Sequence, residues 1–298
     1  MSLGSRLPEI APEHSSPQLR LSAVPSTTES KSLTKDKRRV RWFKQADQWF
    51  TRLVRIADAI HQGFWLGFLS ADDLDAITSG HYAQSQEYAS PEHNQRGLFD
   101  WEAAAINQYF QPGSRILVAA AGGGREILAL RRAGFQADGF DCSLTLVQAG
   151  SALFDRLGEG RGVALSAAGE VPSGPALYQG LIVGWTGYTH IPTRRRRIAF
   201  LDGLRNRALP GALVLISFFP REGSSRCEKL NYWTARVSRF LFRGRNEESE
   251  LGDHLGWCFS HNFTRDEVDD ELRTAGFRPV YYSEVGEGHA VGISEESI

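Results

Sequence analysis

The stretch Ser114 to Ser143, SRILVAAAGGGREILALRRAGFQADGFDCS, constrains the fold more than any other part of the chain. Ile116 to Ala121 is an unbroken apolar run, the pattern of a strand buried on both faces. Gly122, Gly123 and Gly124 follow and allow a tight turn with a ligand close to the main chain. The next residues predict a helix with Ile127, Leu128 and Leu130 facing inward and Gly134 at its C-terminal stop. A second strand, Phe135 to Phe140, runs into Asp141. A helix that opens on a glycine turn presents free N–H groups and the positive end of its dipole. An acid at the tip of the neighbouring strand lies beside that turn and can accept two ribose hydroxyls. The segment therefore specifies a β-α-β unit with a nucleoside-shaped hole at its mouth.

Spacing selects among nucleosides. A dinucleotide fingerprint needs G-x-G-x-x-G, with a third glycine where helix and strand pack closely. Gly122 and Gly124 fill the first two places, but the third falls on Ile127, which argues against NAD or FAD. The stretch instead resembles the first two motifs of the class I S-adenosylmethionine-dependent methyltransferases, which read roughly V-L-D-x-G-x-G-x-G and then A-G-[FY]-x-V-x-G-x-D-x-S. Ala133-Gly134-Phe135-Gln136-Ala137-Asp138-Gly139-Phe140-Asp141-Cys142-Ser143 follows the second closely. The first departs at two places: Val118 stands where the usual acid would be and Ala120 where the first glycine would be. Losing that acid removes one partner of the methionine ammonium group. The closing run Phe263-Thr264-Arg265-Asp266-Glu267-Val268 through Ala275-Gly276-Phe277 resembles the last helix of the same family, followed by a pair of strands at Arg278 to Glu284 and His289 to Ile293.

The resemblance, which spans about Phe99 to Ile293, implies a Rossmann-like doubly wound α/β sheet of seven strands, the last antiparallel. It implies S-adenosyl-L-methionine as cofactor. Ala121, Gly122 and Gly124 would lie against it, Asp141 would hold its ribose and Cys142 would border its adenine. Tyr88, just upstream of the helix that feeds the first strand, is a further cofactor candidate, with Tyr82 as an alternative. An acid after the third strand would normally meet the adenine amine; here Ser166-Ala167-Ala168-Gly169-Glu170 leaves a backbone carbonyl, Ser166 or Glu170 as substitutes.

Ligands in an open parallel sheet sit beyond the carboxyl ends of the strands. The segment after the fourth strand, Thr186-Gly187-Tyr188-Thr189-His190-Ile191-Pro192, is therefore expected near the reactive methyl. His190 is the candidate general base, because an imidazole titrates near neutrality. Tyr188, His254 and His261 are the candidate substrate contacts. His254 and His261 with Asp253 match no zinc spacing, so no metal is expected. The acceptor class is a small molecule or a peptide, methylated at an O or N atom. A non-catalytic cofactor-binding partner protein and, further off, a nicotinamide oxidoreductase are the alternatives.

The rest of the chain frames this unit. Residues 1–37 are rich in Ser, Pro, Thr and Glu and read as a disordered tail. KDKRRVR at 35–41 reads as a solvated helix start, with a nucleic-acid or membrane contact as the other option. Val40 to Ile60 carries Trp42, Phe43, Trp49, Phe50, Leu53, Val54, Ile56 and Ile60 at helical spacing, expected as a core stripe. Ser70 is expected to cap a helix from Ala71 to Ile77, which Gly80 ends, and Tyr82 to Arg96 reads as a loop. Residues 38–98 form an expected N-terminal helical cap ahead of a domain at 99–298, with an insertion at 221–262 on the substrate side. Four arginines, Arg194 to Arg197, open a helix against its dipole and read as a solvated face or an anion site.

Lys plus Arg number 34 against 35 Asp plus Glu, so no global field recruits nucleic acid. Three widely spaced cysteines and no CxxC suit a reducing, cytoplasmic setting. No apolar run approaches the ~18 residues that cross a bilayer, and no signal peptide is expected, so a membrane is not among the expected partners. A homodimer stays open.

Overall fold

The structure, a computed structural model, describes residues 38–242 and 249–295. The expected tail at 1–37 lies outside the described residues, as do Glu247 and Glu248. The chain divides into a short unit, Met1–Gln48, and a main unit, Trp49–Ile298. In the first, residues 38–48 are helical and Val40, Trp42 and Phe43 are exposed.

Helices come first: α1 (Arg38–Phe68), α2 (Ala71–Gln84), α3 (Gln86–Ala89), α4 (Pro91–Gln95) and α5 (Asp100–Tyr109). Alternation then begins with β1 (Arg115–Ala119), α6 (Arg125–Arg132), β2 (Gln136–Asp141), α7 (Leu144–Leu157), β3 (Val163–Leu165) and β4 (Tyr178–Val183). It continues through α8 (Arg194–Arg205), β5 (Ala208–Pro220), α9 (Arg226–Phe242), β6 (Asp253–Leu255), β7 (Phe259–Phe263), α10 (Arg265–Thr274), β8 (Phe277–Ser283) and β9 (Gly288–Ser294).

Strands β3, β2, β1, β4 and β5 lie side by side and parallel. β9 then runs antiparallel to β5, and β8 antiparallel to β9. This is the expected seven-stranded, doubly wound arrangement. Two further strands depart from it: β7 pairs in parallel with the end of β5 (Phe219 with Asn262, Pro220 with Phe263), and β6 folds back on β7. The insertion after β5 thus becomes helix α9 and a hairpin that lengthens the sheet edge.

The unbroken apolar run of β1 is explained by its two faces. Ile116 and Val118 enter one core cluster with Ile127, Leu128 and Leu130 of α6. Leu117 and Ala119 enter the other, with Leu201 of α8 and Leu272 of α10. Alternate residues point opposite ways and both sides are covered, so neither can be polar.

The close helix–strand approach that a dinucleotide fold obtains from its third glycine is met here from the strand side. A Cβ on Gly139 of β2 would lie 2.5 Å from Ile127 Cδ1 and 2.6 Å from the Val118 carbonyl oxygen. Ile127 can stand on α6 because Gly139 has nothing there.

The cap expected at Ser70 is present, and three further helices start on a capping side chain. Ser70 and Asp73 form a reciprocal capping box on α2, Ser143 caps α7, Thr193 caps α8, and Thr264 with Glu267 form a capping box on α10. α2 runs past Gly80 to Gln84, and the expected loop at 82–96 contains the short helices α3 and α4.

The apolar stripe of α1 is the main departure. It is not core: in the main unit Trp49 is 64% exposed and Phe50 and Leu53 are similarly open. What α1 buries there is a narrow face of Ala59, Gly63, Leu66 and Gly67. At Gly63 an added Cβ would lie 2.4 Å from the Asn231 carbonyl oxygen, and at Gly67 2.2 Å from that of Ala235. Two glycines a turn apart let α9 cross α1 at backbone distance, and nearer the start of the helix Trp49, Phe50, Leu53 and Ile60 stay open to solvent.

Substituting Gly139→Ala should destabilise the protein by about 1–3 kcal/mol, because the new methyl meets the Val118 backbone carbonyl and forces Ile127 from its buried place. Thermal unfolding checks this, and an unchanged Tm would mean that α6 does not approach β2 this closely.

Candidate active site

A cavity of about 540 Å³ opens beyond the carboxyl ends of β1, β2, β4 and β5. Its floor is the turn after β1. Ala120, Gly122 and Gly124 all have positive φ, at 50°, 54° and 92°. Ala120 therefore keeps the left-handed conformation of the glycine it replaces, at a cost of about 1–2 kcal/mol. Its neighbours make room: a Cβ on Gly187 would lie 2.6 Å from Ala120 Cβ, and one on Gly184 2.5 Å from the Ala120 carbonyl oxygen. Ala121 and Gly122 line the cavity; Gly124 faces away, against Phe154 and Val163.

Asp141 ends β2 and also lines the cavity. Its Oδ2 accepts from the Gly122 amide at 2.8 Å and its Oδ1 from the Ser143 amide at 2.7 Å. Burial raises the pKa of this carboxyl, and the two amide bonds oppose that shift. A carboxylate offers about four acceptor positions, so capacity remains for two hydroxyls. Cys142 lines the cavity with its Sγ 4.0 Å from Ser79 Oγ. Ala167, Ala168, Gly169 and Glu170 form another part of the wall; Ser166 is not on it and donates its hydroxyl to the Glu170 carbonyl instead.

Beside the glycine turn lies a charged cluster that sequence reasoning missed. Arg125 grips Glu102 with two bonds of 2.7 Å, Glu126 with one of 2.7 Å and the Gly97 carbonyl oxygen at 2.9 Å. All three charged side chains are buried, and Arg125 and Glu126 reach the cavity wall. Two carboxylates share one guanidinium, which leaves the cluster an acid in excess. Glu126 Oε1 also accepts from the Trp185 amide at 3.3 Å. Among the described residues, Asn94 Oδ1, His93 Nδ1 and Trp185 Nε1 are buried on this wall without a hydrogen-bond partner. Buried polar atoms are normally paired, so these mark positions where a ligand can bond. The only sequence signal was the pair Arg125-Glu126 directly after the glycines.

His190 lies in a 3₁₀ turn, Gly187–His190, after β4. Its Nδ1 is 2.7 Å from the Phe259 carbonyl oxygen, an acceptor only, so Nδ1 carries the proton. Nε2 is then the acceptor for the Tyr82 hydroxyl at 2.8 Å. Burial lowers the His190 pKa and raises that of Tyr82, so the resting pair is neutral, with its proton on the phenol. Tyr88 lines the same cavity, its ring 5.5 Å from that of Tyr82 and 6.2 Å from that of Trp185. His254 reaches the wall from β6.

Two expected contacts lie elsewhere. Tyr188 is fully buried, stacked on Phe263, and donates its hydroxyl to Glu271 Oε2 at 2.5 Å. His261 is 1% exposed and bonds Asp253 Oδ1 through Nδ1 at 2.8 Å. Neither lines the cavity. Both belong to a polar core around Arg197, which bonds Glu271 at 2.7 Å and Glu250 at 2.6 Å. The sequence placed them near the right loops, but alternation on β7 and the inward side of the 3₁₀ turn aim them at the core. Glu250, Asp253 and His261 offer ligand atoms within 4.8 Å of one another. The Arg197 guanidinium already supplies that cluster with a cation. Two more arginines of the run are paired, Arg194 with Asp270, and Arg196 with Asp72 and Asp75.

The strand order, the antiparallel last strand and the ligand-sized hole at the ends of β1 and β2 define the class I S-adenosylmethionine-dependent methyltransferase fold. Among solved structures, the chain is similar to 1,6-didemethyltoxoflavin-N1-methyltransferase of Burkholderia thailandensis, crystallised with 1,6-didemethyltoxoflavin and S-adenosylhomocysteine. The TM-score is 0.53 and the identity 16%, covering 76% of this chain and 92% of that one. It is also similar to a SAM-dependent methyltransferase of Methanosarcina mazei, with TM-score 0.52 and 15% identity over 67% of this chain and all of that one. No family model matches the sequence, and no curated protein matches it.

Asp75 also lines the cavity, and burial pushes its carboxyl up to about 6, aided by Asp72 and opposed by Arg196, which bonds it at 2.6 Å. A folded-state pKa above the unfolded value means that the native state holds the proton more tightly. The associated stability is complete below the unfolded pKa of ~3.9 and is lost as pH rises through about 6. From pH 7 to pH 5 the wild type should therefore gain about 1 kcal/mol relative to Asp75→Asn, measurable by urea denaturation. A constant difference across that range would show Asp75 to be ionised throughout.

Proposed function

We propose that the protein is an S-adenosylmethionine-dependent methyltransferase acting on an O or N atom of a small molecule or peptide. The observation that carries this reading is the Asp141 carboxylate, which opens on one cavity together with the positive-φ turn Ala120–Gly124. The cofactor supplies an electrophilic methyl group on a sulfonium. Gly122 and Ala121 let its nucleoside approach the main chain, and Asp141 accepts its ribose hydroxyls. Cys142 and the Ala167–Glu170 turn border the adenine. Glu126 and Asn94 Oδ1 accept from the methionine ammonium group, in place of the acid that is lost at Val118. Trp185 Nε1 is the donor for the carboxylate. The aromatic rings of Tyr82, Tyr88 and Trp185 suit a cationic centre.

The acceptor takes the part of the cavity walled by Tyr82, His190, His254, Trp257 and Cys258. A cavity of this size suits a small ligand or a single inserted side chain. Tyr82 receives the acceptor's proton as it passes its own to His190 Nε2; the Phe259 carbonyl steadies the imidazolium at Nδ1. Helices α2 to α4 act as a cap that keeps water from this wall, which strengthens the polar contacts inside. Positioning of donor and nucleophile in line does most of the remaining work.

Asp141→Ala should weaken S-adenosylhomocysteine binding by about 100-fold or more in calorimetry, since bonds to a charged group are lost; wild-type affinity would remove Asp141 from the ribose. His190→Gln and Tyr82→Phe should each lower kcat by about 100-fold with little change in cofactor affinity. Incubating labelled donor with a source-cell extract identifies the acceptor. Tight S-adenosylhomocysteine binding with no labelled product from any extract would point to a non-catalytic partner protein instead.

A further inference from the structure

The exposed apolar face shared by α1 and α9 has a use that the cavity does not explain. On the main-unit part of α1, Trp49, Phe50, Leu53 and Ile60 fall within one side of the helix and are open to solvent. On α9, Trp233, Val237, Phe240 and Leu241 are open as well, Phe240 at 66%. The two faces join: Phe242 of α9 packs edge-on against Phe64 at 5.9 Å and Phe68 at 5.6 Å. The glycine crossing at Gly63 and Gly67 fixes the two helices rigidly together. An apolar surface of this kind, continuous over two helices, marks an interaction site.

Charge selects the partner. Arg52, Arg55, Arg226, Lys229 and Arg236 are exposed on the same two segments, which carry Asp58 and Glu228 as their acids. The whole chain is balanced at a net charge of −1, so this basic excess is local. Arg52 lies over the Trp49 ring at 5.6 Å and Arg236 over Trp233 at 5.2 Å. Guanidinium groups rimming tryptophans, with aliphatic side chains between, match a helix face lying in the headgroup region of a lipid layer. A second copy of this face would bring like charges together, whereas anionic headgroups complement them. No helix among the described residues is long and apolar enough to cross a membrane; the exposed side chains run along the lengths of α1 and α9, the arrangement of helices that lie on a surface.

We propose that the face formed by residues 49–68 of α1 and by α9 docks the protein on an anionic membrane. Gln62, on the polar side of α1, accepts from the Leu255 amide and lines the cavity. One helix, about 10 Å across, would then stand between lipid and cavity.

Co-sedimentation of the full chain with vesicles tests this. Wild type should bind phosphatidylcholine vesicles containing about 30% phosphatidylserine at least tenfold more tightly than phosphatidylcholine alone, with the difference shrinking as salt rises. Leu53→Ser combined with Phe240→Ser should lose that binding while circular dichroism and S-adenosylhomocysteine affinity stay unchanged. Arg52→Glu with Arg236→Glu should abolish the preference for the anionic vesicles. Absence of vesicle binding by wild type, or equal binding by the serine variant, overturns the proposal. So does light scattering that finds a wild-type dimer which the serine variant dissolves, because the face would then belong to a second copy.

Discussion

Two hydrogen bonds hold the centre of this molecule. Asp141 receives the amide of Gly122 on one oxygen and that of Ser143 on the other. The first ties the turn after β1 to the end of β2; the second starts α7 at its cap. One carboxylate therefore sets the spacing between two strands, the opening of the glycine turn and the direction of the next helix. That carboxylate is buried, and its residual acceptor capacity is spent either on ligand or on water. The site and the scaffold thus depend on the same two oxygens.

A second theme is charge placed inside the protein. Arg125 with Glu102 and Glu126 sits at the cavity wall, and Arg197 with Glu250 and Glu271 sits behind it. Buried ion pairs add little net stability, but removing one partner is expensive, so they fix which side chains can stand where. The first cluster orients Glu126 toward the Trp185 amide; the second holds the hairpin β6–β7, α8 and α10 in register.

How much of this was legible in the sequence follows from what each signal reports. The β-α-β unit was plain, because a two-sided strand, a glycine turn and a following acid are local features. Positions whose role depends on distant partners were harder. Gly139 read only as part of a motif; its contact with Ile127 explains how the helix packs without a third glycine. Tyr188 and His261 lie in the expected segments but face the core: a short 3₁₀ turn has no periodicity from which to read a face, and the alternation that turns His261 inward belongs to β7, a strand that was not expected there. Glu126 was hidden because Glu102, which shares the Arg125 guanidinium with it, lies on another helix, and because the family's usual acid stands at the place of Val118. The α1 stripe showed its helical period but not its neighbour: amphipathicity says that an apolar face exists, not that the same chain covers it. Spanning length, likewise, says nothing about resting on a surface.

His190 is held through segments remote in sequence: Tyr82 from α2 on one nitrogen and the Phe259 carbonyl from β7 on the other. Its tautomer is thereby a readout of assembly. With α2 displaced, Nε2 would face water and the ring would regain its ordinary proton affinity; with β7 displaced, Nδ1 would be free to surrender its hydrogen. An imidazole of this kind works as a latch that is basic in the right direction when both walls are shut.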